Sequence, residues 1–231
     1  MESSSAEALT RNVAAGAAAV FGELLVRLRE QLAELDRFAQ RERDFIGRQR
    51  ALGATRALLN RGDELVSALA AYAGARILSP TAIDMTEFLQ SLAQVLRRSL
   101  DRRVEVEVQV QRGCPACCAD AAALEQAVLE LVRNARDAMP QGGRLRLLAA
   151  DAGMDGMAVS IADTGVGIAI DDLSRVALPF FTTWSGSEMA GMGLAAAGGF
   201  ARQSGGSMRI NSRIGVGTTV TLYLPRATAG H

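Results

Sequence analysis

The chain has 231 residues, with 25 basic and 25 acidic side chains, one His, three Cys and 49 % apolar residues. That length and apolar content suit one large domain or two small ones with a real core, and the zero formal charge leaves no footprint for nucleic acid or an anionic membrane. The single His is His231, the last residue, which excludes His-based metal sites, Ser-His-Asp triads and an internal phosphohistidine.

The longest apolar run, Val13 to Phe21, is too short and too rich in Ala to span a bilayer, and no signal peptide is visible. Three unevenly spaced Cys do not make a disulfide framework, so the chain reads as cytoplasmic. Up to Pro80 the sequence is rich in Ala, Leu, Arg and Glu, a helical composition. Phe21, Leu24, Leu28, Leu32 and Leu35 recur at helical spacing. Leu52, Leu59, Val66 and Ala73 recur every seven residues. Between the runs, Gly47 and Gly53 are expected to weaken the helix. Two rods with one apolar stripe each form a hairpin, and pairing with a second copy into a four-helix bundle buries both stripes. A homodimer is therefore expected. The alternative is a hairpin packed on the rest of its own chain.

Leu78-Ser-Pro80 ends the second helix. Asp84-Met-Thr-Glu87 is a capping-box signature for a helix to Leu100, and Val104, Val106, Val108 and Val110 alternate with polar residues as a half-buried strand. Asp120 caps a helix to about Met139, stopped by Gly142-Gly143. Strands are expected at Arg144 to Ala149 and Met157 to Ala162, then a glycine-rich loop and a helix around Leu194 to Gln203. A closing hairpin joins Ser207 to Arg213 with Thr218 to Leu224 through Gly215-Val-Gly217. The mixture predicts an α+β sandwich, helices on one face of a mixed sheet.

Three clusters carry possible chemistry. Glu130, Asn134 and Asp137 share one helical face, which is either a solvated polar stripe or a site where Asn134 supplies a neutral oxygen to Mg2+ and Glu130 orients a water or hydroxyl. Asp163-Thr-Gly165-Val-Gly167 follows a strand, where an Asp can hydrogen-bond a base while glycine backbone passes close beneath. Gly191-Met-Gly193-Leu194 opens a helix whose N–H groups and dipole suit phosphate oxygens. Cys114-Pro-Ala-Cys117-Cys118 has a metal-knuckle look but no fourth ligand, and is read as small residues at a strand edge.

In order and spacing, Glu130-x-x-x-Asn134, Asp163-x-Gly-x-Gly167, Pro179-Phe-Phe-Thr-Thr183 and Gly191-x-Gly-Leu194 resemble the N, G1, F and G2 boxes of the ATPase superfamily of gyrases, chaperones, mismatch-repair proteins and histidine kinases. Asn134-Ala-Arg-Asp-Ala-Met139 and the ending from Gly198 to Pro225 are similar to bacterial sensor histidine kinases. Arg61-Gly-Asp-Glu-Leu65 through Leu78-Ser-Pro80 resembles the second helix of their dimerisation and phosphotransfer domain. The resemblance implies a helical hairpin over residues 1–80, a gyrase/chaperone/histidine kinase type ATPase sandwich over 81–226, and a short tail. It implies an ATP site drawing on Asn134, Asp137, Asp163, Gly165, Gly167, Thr183, Gly191, Gly193 and Leu194, with Mg2+ held through Asn134 and the nucleotide. Residues 182–190 would be the ATP lid.

The sequence departs from that family at two places. Ala19 stands where the phosphoacceptor His belongs and Val20 where its acid–base partner belongs. In the lid, Trp184 replaces a basic residue, Glu188 stands where a Lys would approach the terminal phosphate, and Met189 removes a glycine. A carboxylate there repels the triphosphate by on the order of 1 kcal/mol at 4 Å in a water-like dielectric. The sequence thus implies a degenerate histidine kinase of two-component signalling, with ATP and Mg2+ either weakly bound or lost, that engages a response regulator or partner kinase. The competing expectation is an active ATPase or Ser/Thr kinase using Glu130 as general base.

Overall fold

Asp84 and Asp120 each start a helix, as their positions before apolar-periodic runs require. The Asp84 carboxylate accepts from the N–H groups of Thr86 (2.7 Å) and Glu87 (3.1 Å), opening α2 at Met85–Ser99. That of Asp120 accepts from Ala123 (2.9 Å), opening α3 at Ala121–Asp137. The structure, a computed structural model, describes residues 17, 24, 26–35, 37, 45–72, 77–153, 156–181 and 191–227. Before α2 come α1 (Phe45–Tyr72) and a three-residue strand, β1 (Thr81–Ile83). Then follow β2 (Val104–Val110), β3 (Cys117–Ala119), α3, β4 (Gly143–Asp151), β5 (Met157–Asp163), α4 (Gly193–Gln203), β6 (Ser207–Arg213) and β7 (Gly217–Leu224).

Residues 26–35 are helical, as the first apolar run predicts, while Ala19 and Val20 lie outside the described residues. The second run forms α1, but the helix passes through both Gly47 and Gly53. The expected weakening is corrected: each glycine costs about 1 kcal/mol against Ala, which the Ala-, Leu- and Arg-rich remainder of a 28-residue helix overrides. Leu52, Leu59 and Val66, spaced by seven, are 43 %, 53 % and 54 % exposed, so α1 presents an apolar stripe to solvent. The chain divides into two compact units, Met1–Ala68 and Leu69–His231, and the second holds all the candidate ligand-binding residues outside 182–190.

That second unit is built on a five-stranded sheet in the order β2-β4-β5-β7-β6, with β2 and β4 parallel and every other pair antiparallel. Alternate residues point to one side and are buried: Val104 and Val106, Leu145 and Leu147, Val159 and Ile161, Leu222 and Leu224. They join Leu89, Leu92 and Leu96 of α2, Leu124, Val128 and Leu131 of α3 and Phe200 of α4 in one core. The other side stays polar, with Arg144 bridging Glu107 (3.1 Å) and Glu105 (3.5 Å) across the parallel pair. This is the expected α+β sandwich with a mixed sheet. β1 and β3 add an antiparallel pair of three residues each that the sequence reading did not anticipate.

Candidate functional site

The expected glycine loop leaves the end of β5 and meets two other elements. The Asp163 carboxylate spends Oδ1 on two backbone donors, Gly165 N–H (2.8 Å) and Thr218 N–H (3.2 Å), which leaves Oδ2 for a ligand. Burial pushes the Asp163 carboxyl above its ordinary value, while those two N–H groups pull it down. Gly165 has no room for a side chain, since a Cβ there would lie 2.5 Å from the Ala138 carbonyl oxygen. Gly167 has φ +73 and would drive a Cβ into the Arg213 carbonyl. The β6–β7 hairpin holds the loop from outside: Gly215 N–H donates to Val166 O (2.9 Å) and Ile168 N–H to Ser212 Oγ (2.8 Å).

Asp163 lines a cavity of about 770 Å³ together with Asn134, Asp137, Gly167, Gly191, Gly193, Leu194 and Thr218. That volume suits a small-molecule site, and its walls (Met139, Ile161, Val176 and Val220) are apolar with a few convergent polar groups. The structure therefore brings the three sequence clusters into one place. Gly193, at the start of α4, is the point of closest approach: a Cβ there would sit 3.0 Å from Asn134 Nδ2 and 3.2 Å from Glu130 Oε2. Phe180 N–H donates to Gly191 O (3.1 Å), joining the residues that flank 182–190, and Arg175 stacks 4.6 Å over the Phe181 ring. Thr183, Trp184, Glu188 and Met189 lie outside the described residues.

The polar face of α3 is divided. Asn134 and Asp137 are exposed, and Asp137 pairs with Arg136 at 2.7 Å. Glu130 is buried at 8 % exposure, does not line the cavity and pairs with Arg133 at 3.5 Å. A solvated stripe is thus corrected at Glu130, because α4 packs over that turn of α3. Among the described residues no group of three His, Cys, Asp or Glu is placed to hold a metal ion. A divalent cation at Asn134 would accordingly take its other oxygens from phosphate and water, which is how Mg2+ is commonly held.

Residues 119–228 match the family of histidine kinase-, DNA gyrase B- and HSP90-like ATPases. Sensor kinase CckA of Brucella abortus is 35 % identical over 181 residues, covering 72 % of this chain and 19 % of that protein. Histidine protein kinase DivJ of Caulobacter vibrioides is 38 % identical over 147 residues, covering 62 % of this chain and 24 % of its own length. The chain belongs to the sensor histidine kinase family. It spans about a fifth to a quarter of these curated relatives. The fold agrees: full-length ShkA, crystallised in complex with AMPPNP, superposes with a TM-score of 0.68 at 23 % identity over 90 % of this chain and 47 % of that one.

Within this histidine kinase fold, Thr218 is the site residue that sequence reasoning missed. Its N–H binds Asp163 and its hydroxyl pairs with Ser212 Oγ at 2.8 Å, so it ties β7 to the glycine loop. Its signal was the Gly215-Val-Gly217-Thr218 turn, read only as a hairpin. The cysteine segment enters β3 at Cys117, where burial pushes the thiol up to about 12. No helix among the described residues is long and apolar enough to cross a membrane.

Proposed function

We propose that the chain is a histidine kinase-like subunit of two-component signalling that binds ATP without phosphorylating a histidine of its own. Asp163 carries the ATP reading. A half-buried carboxylate with one oxygen fixed by two backbone donors and the other left toward an apolar cavity suits the exocyclic amino group of adenine. Asn134 would hold Mg2+ through the phosphates, and Gly191, Gly193 and Leu194 would offer backbone N–H groups at the opening of α4. Bound ATP would supply a transferable phosphoryl group. Ala19, at the acceptor position, has no atom to receive it, and the only His in the sequence is His231.

The exposed stripe of Leu52, Leu59 and Val66 supports a homodimer through a four-helix bundle, and a response regulator or a partner kinase is the natural client of such a bundle. The rival role, Glu130 as base of an ATPase or Ser/Thr kinase, is disfavoured by its burial and its pairing with Arg133. Calorimetric titration of the chain with ATP and Mg2+ tests the reading. Saturable heat that Asp163→Ala abolishes is expected, and no heat from the wild type overturns nucleotide binding. Radiolabelled ATP tests the rest: an acid-stable protein label that Glu130→Gln removes would establish the kinase instead.

A further inference from the structure

The cavity has a second polar end at Arg133, a residue the sequence did not single out. Arg133 lines the cavity one turn beyond Glu130, with its side chain 32 % exposed against 11 % for the carboxylate it meets at 3.5 Å. Glu130 in turn lies under Gly193, at the opening of α4, so the pair stands at the α4 end of the cavity and Asp163 at the β5 end. The two other arginines on the cavity rim are each held in an ion pair: Arg136 meets Asp137 at 2.7 Å and Arg103 meets Asp101 at 2.8 Å. In the sequence, residues 182–190 offer no cation, reading Thr182-Thr-Trp-Ser-Gly-Ser-Glu-Met-Ala190.

An unscreened carboxylate beside a polyphosphate repels it, whereas a guanidinium recognises phosphate oxygens through two parallel N–H donors. We infer that Arg133 is the residue that receives the nucleotide's phosphates, leaving Glu130 to compete with them for the same guanidinium. Resting on the nucleotide reading of the cavity, this makes Arg133 a determinant of triphosphate affinity and leaves adenine recognition to Asp163. The Glu130 carboxylate then tunes affinity downward, because each phosphate contact must displace part of an existing ion pair.

Titrating the same proteins with adenosine and with ATP separates the two ideas. Wild type is expected to bind both. Arg133→Gln and the milder Arg133→Lys are expected to keep adenosine affinity, which also reports an intact cavity. Arg133→Gln should lose about ten- to hundredfold in ATP affinity, the range for a hydrogen bond to a charged group. Glu130→Gln should bind ATP more tightly than wild type, with adenosine unchanged. An unchanged ATP affinity in Arg133→Gln overturns the inference, as does an equal loss of ATP and adenosine in both Arg133 variants, which would make the residue structural. Failure of the wild type to bind either compound sinks the nucleotide reading itself.

Discussion

The two ends of the cavity are built by opposite means. At the β5 end, Asp163 is fixed through backbone: Gly165 and Thr218 supply the donors, and glycines let Ala138 and Arg213 carbonyls press against the loop. At the α4 end, the polar groups that line the cavity are the Arg133 and Asn134 side chains of one helix, and Asn134 and Glu130 lie beneath a single glycine. Backbone scaffolding resists change, because substituting any participant disturbs carbonyls and N–H groups held by the sheet. Side chains on a helical face change one at a time without disturbing the fold. On the proposed nucleotide reading, the difference teaches that the base end is costly to alter and the phosphate end is not.

The sharpest break of that comparison is Asp163→Ala. It should remove ATP binding by at least about a hundredfold and leave two buried N–H groups unpaired, costing about 2 kcal/mol or more in denaturant unfolding. Full retention of both would show that the loop does not depend on this carboxylate. Gly165→Ala comes next, because its Cβ would meet backbone at 2.5 Å. A loss of about 1–3 kcal/mol, read by thermal melting, is expected from that overpacking. Gly193→Ala crowds only the ends of Asn134 and Glu130, at 3.0–3.4 Å. Its stability loss should stay within about 1 kcal/mol, with ATP weakened and adenosine unaffected. A melt as low as that of Gly165→Ala would erase the distinction between the ends.

Asp163→Asn carries the smallest stability effect and the most specific one. The native carboxyl is raised by burial, so the folded chain holds this proton more tightly than the unfolded chain does. Its contribution is complete below the ordinary aspartate value and declines as pH rises through the raised native value. Asn retains an acceptor for Gly165 and Thr218 and has no such decline. The variant should therefore gain stability relative to wild type with rising pH across that window, while losing adenine recognition. Parallel stability–pH curves for the two proteins would refute the assignment.

Much of the sandwich was legible because its signals are local. Asp84 and Asp120 sit where caps belong, Val104 to Val110 alternate without interruption, and Gly215-Val-Gly217 sits at a hairpin turn. β1 and β3 were not legible, since three residues cannot display a period of two and their pairing joins positions about 36 apart. Asp163 and its glycines were visible as a motif, but the identity of the second donor was not: Thr218 reaches Asp163 only once β7 pairs with β5. The burial of Glu130 was hidden for the same reason. A helical wheel separates polar from apolar faces, and only the packing of α4 shows which polar residue it covers.

The pairing of β7 between β5 and β6 also has a temporal consequence. β7, which lies between β5 and the edge strand β6, is the last of this sheet's strands to be synthesised, and Thr218 is one of its first residues. A nascent chain emerging N-terminus first would carry a complete α2, α3 and β5 with the Asp163 carboxylate short of one anchor. Recognition of a purine would then switch on late, after β7 has cleared the ribosome and displaced solvent from the edge of β5.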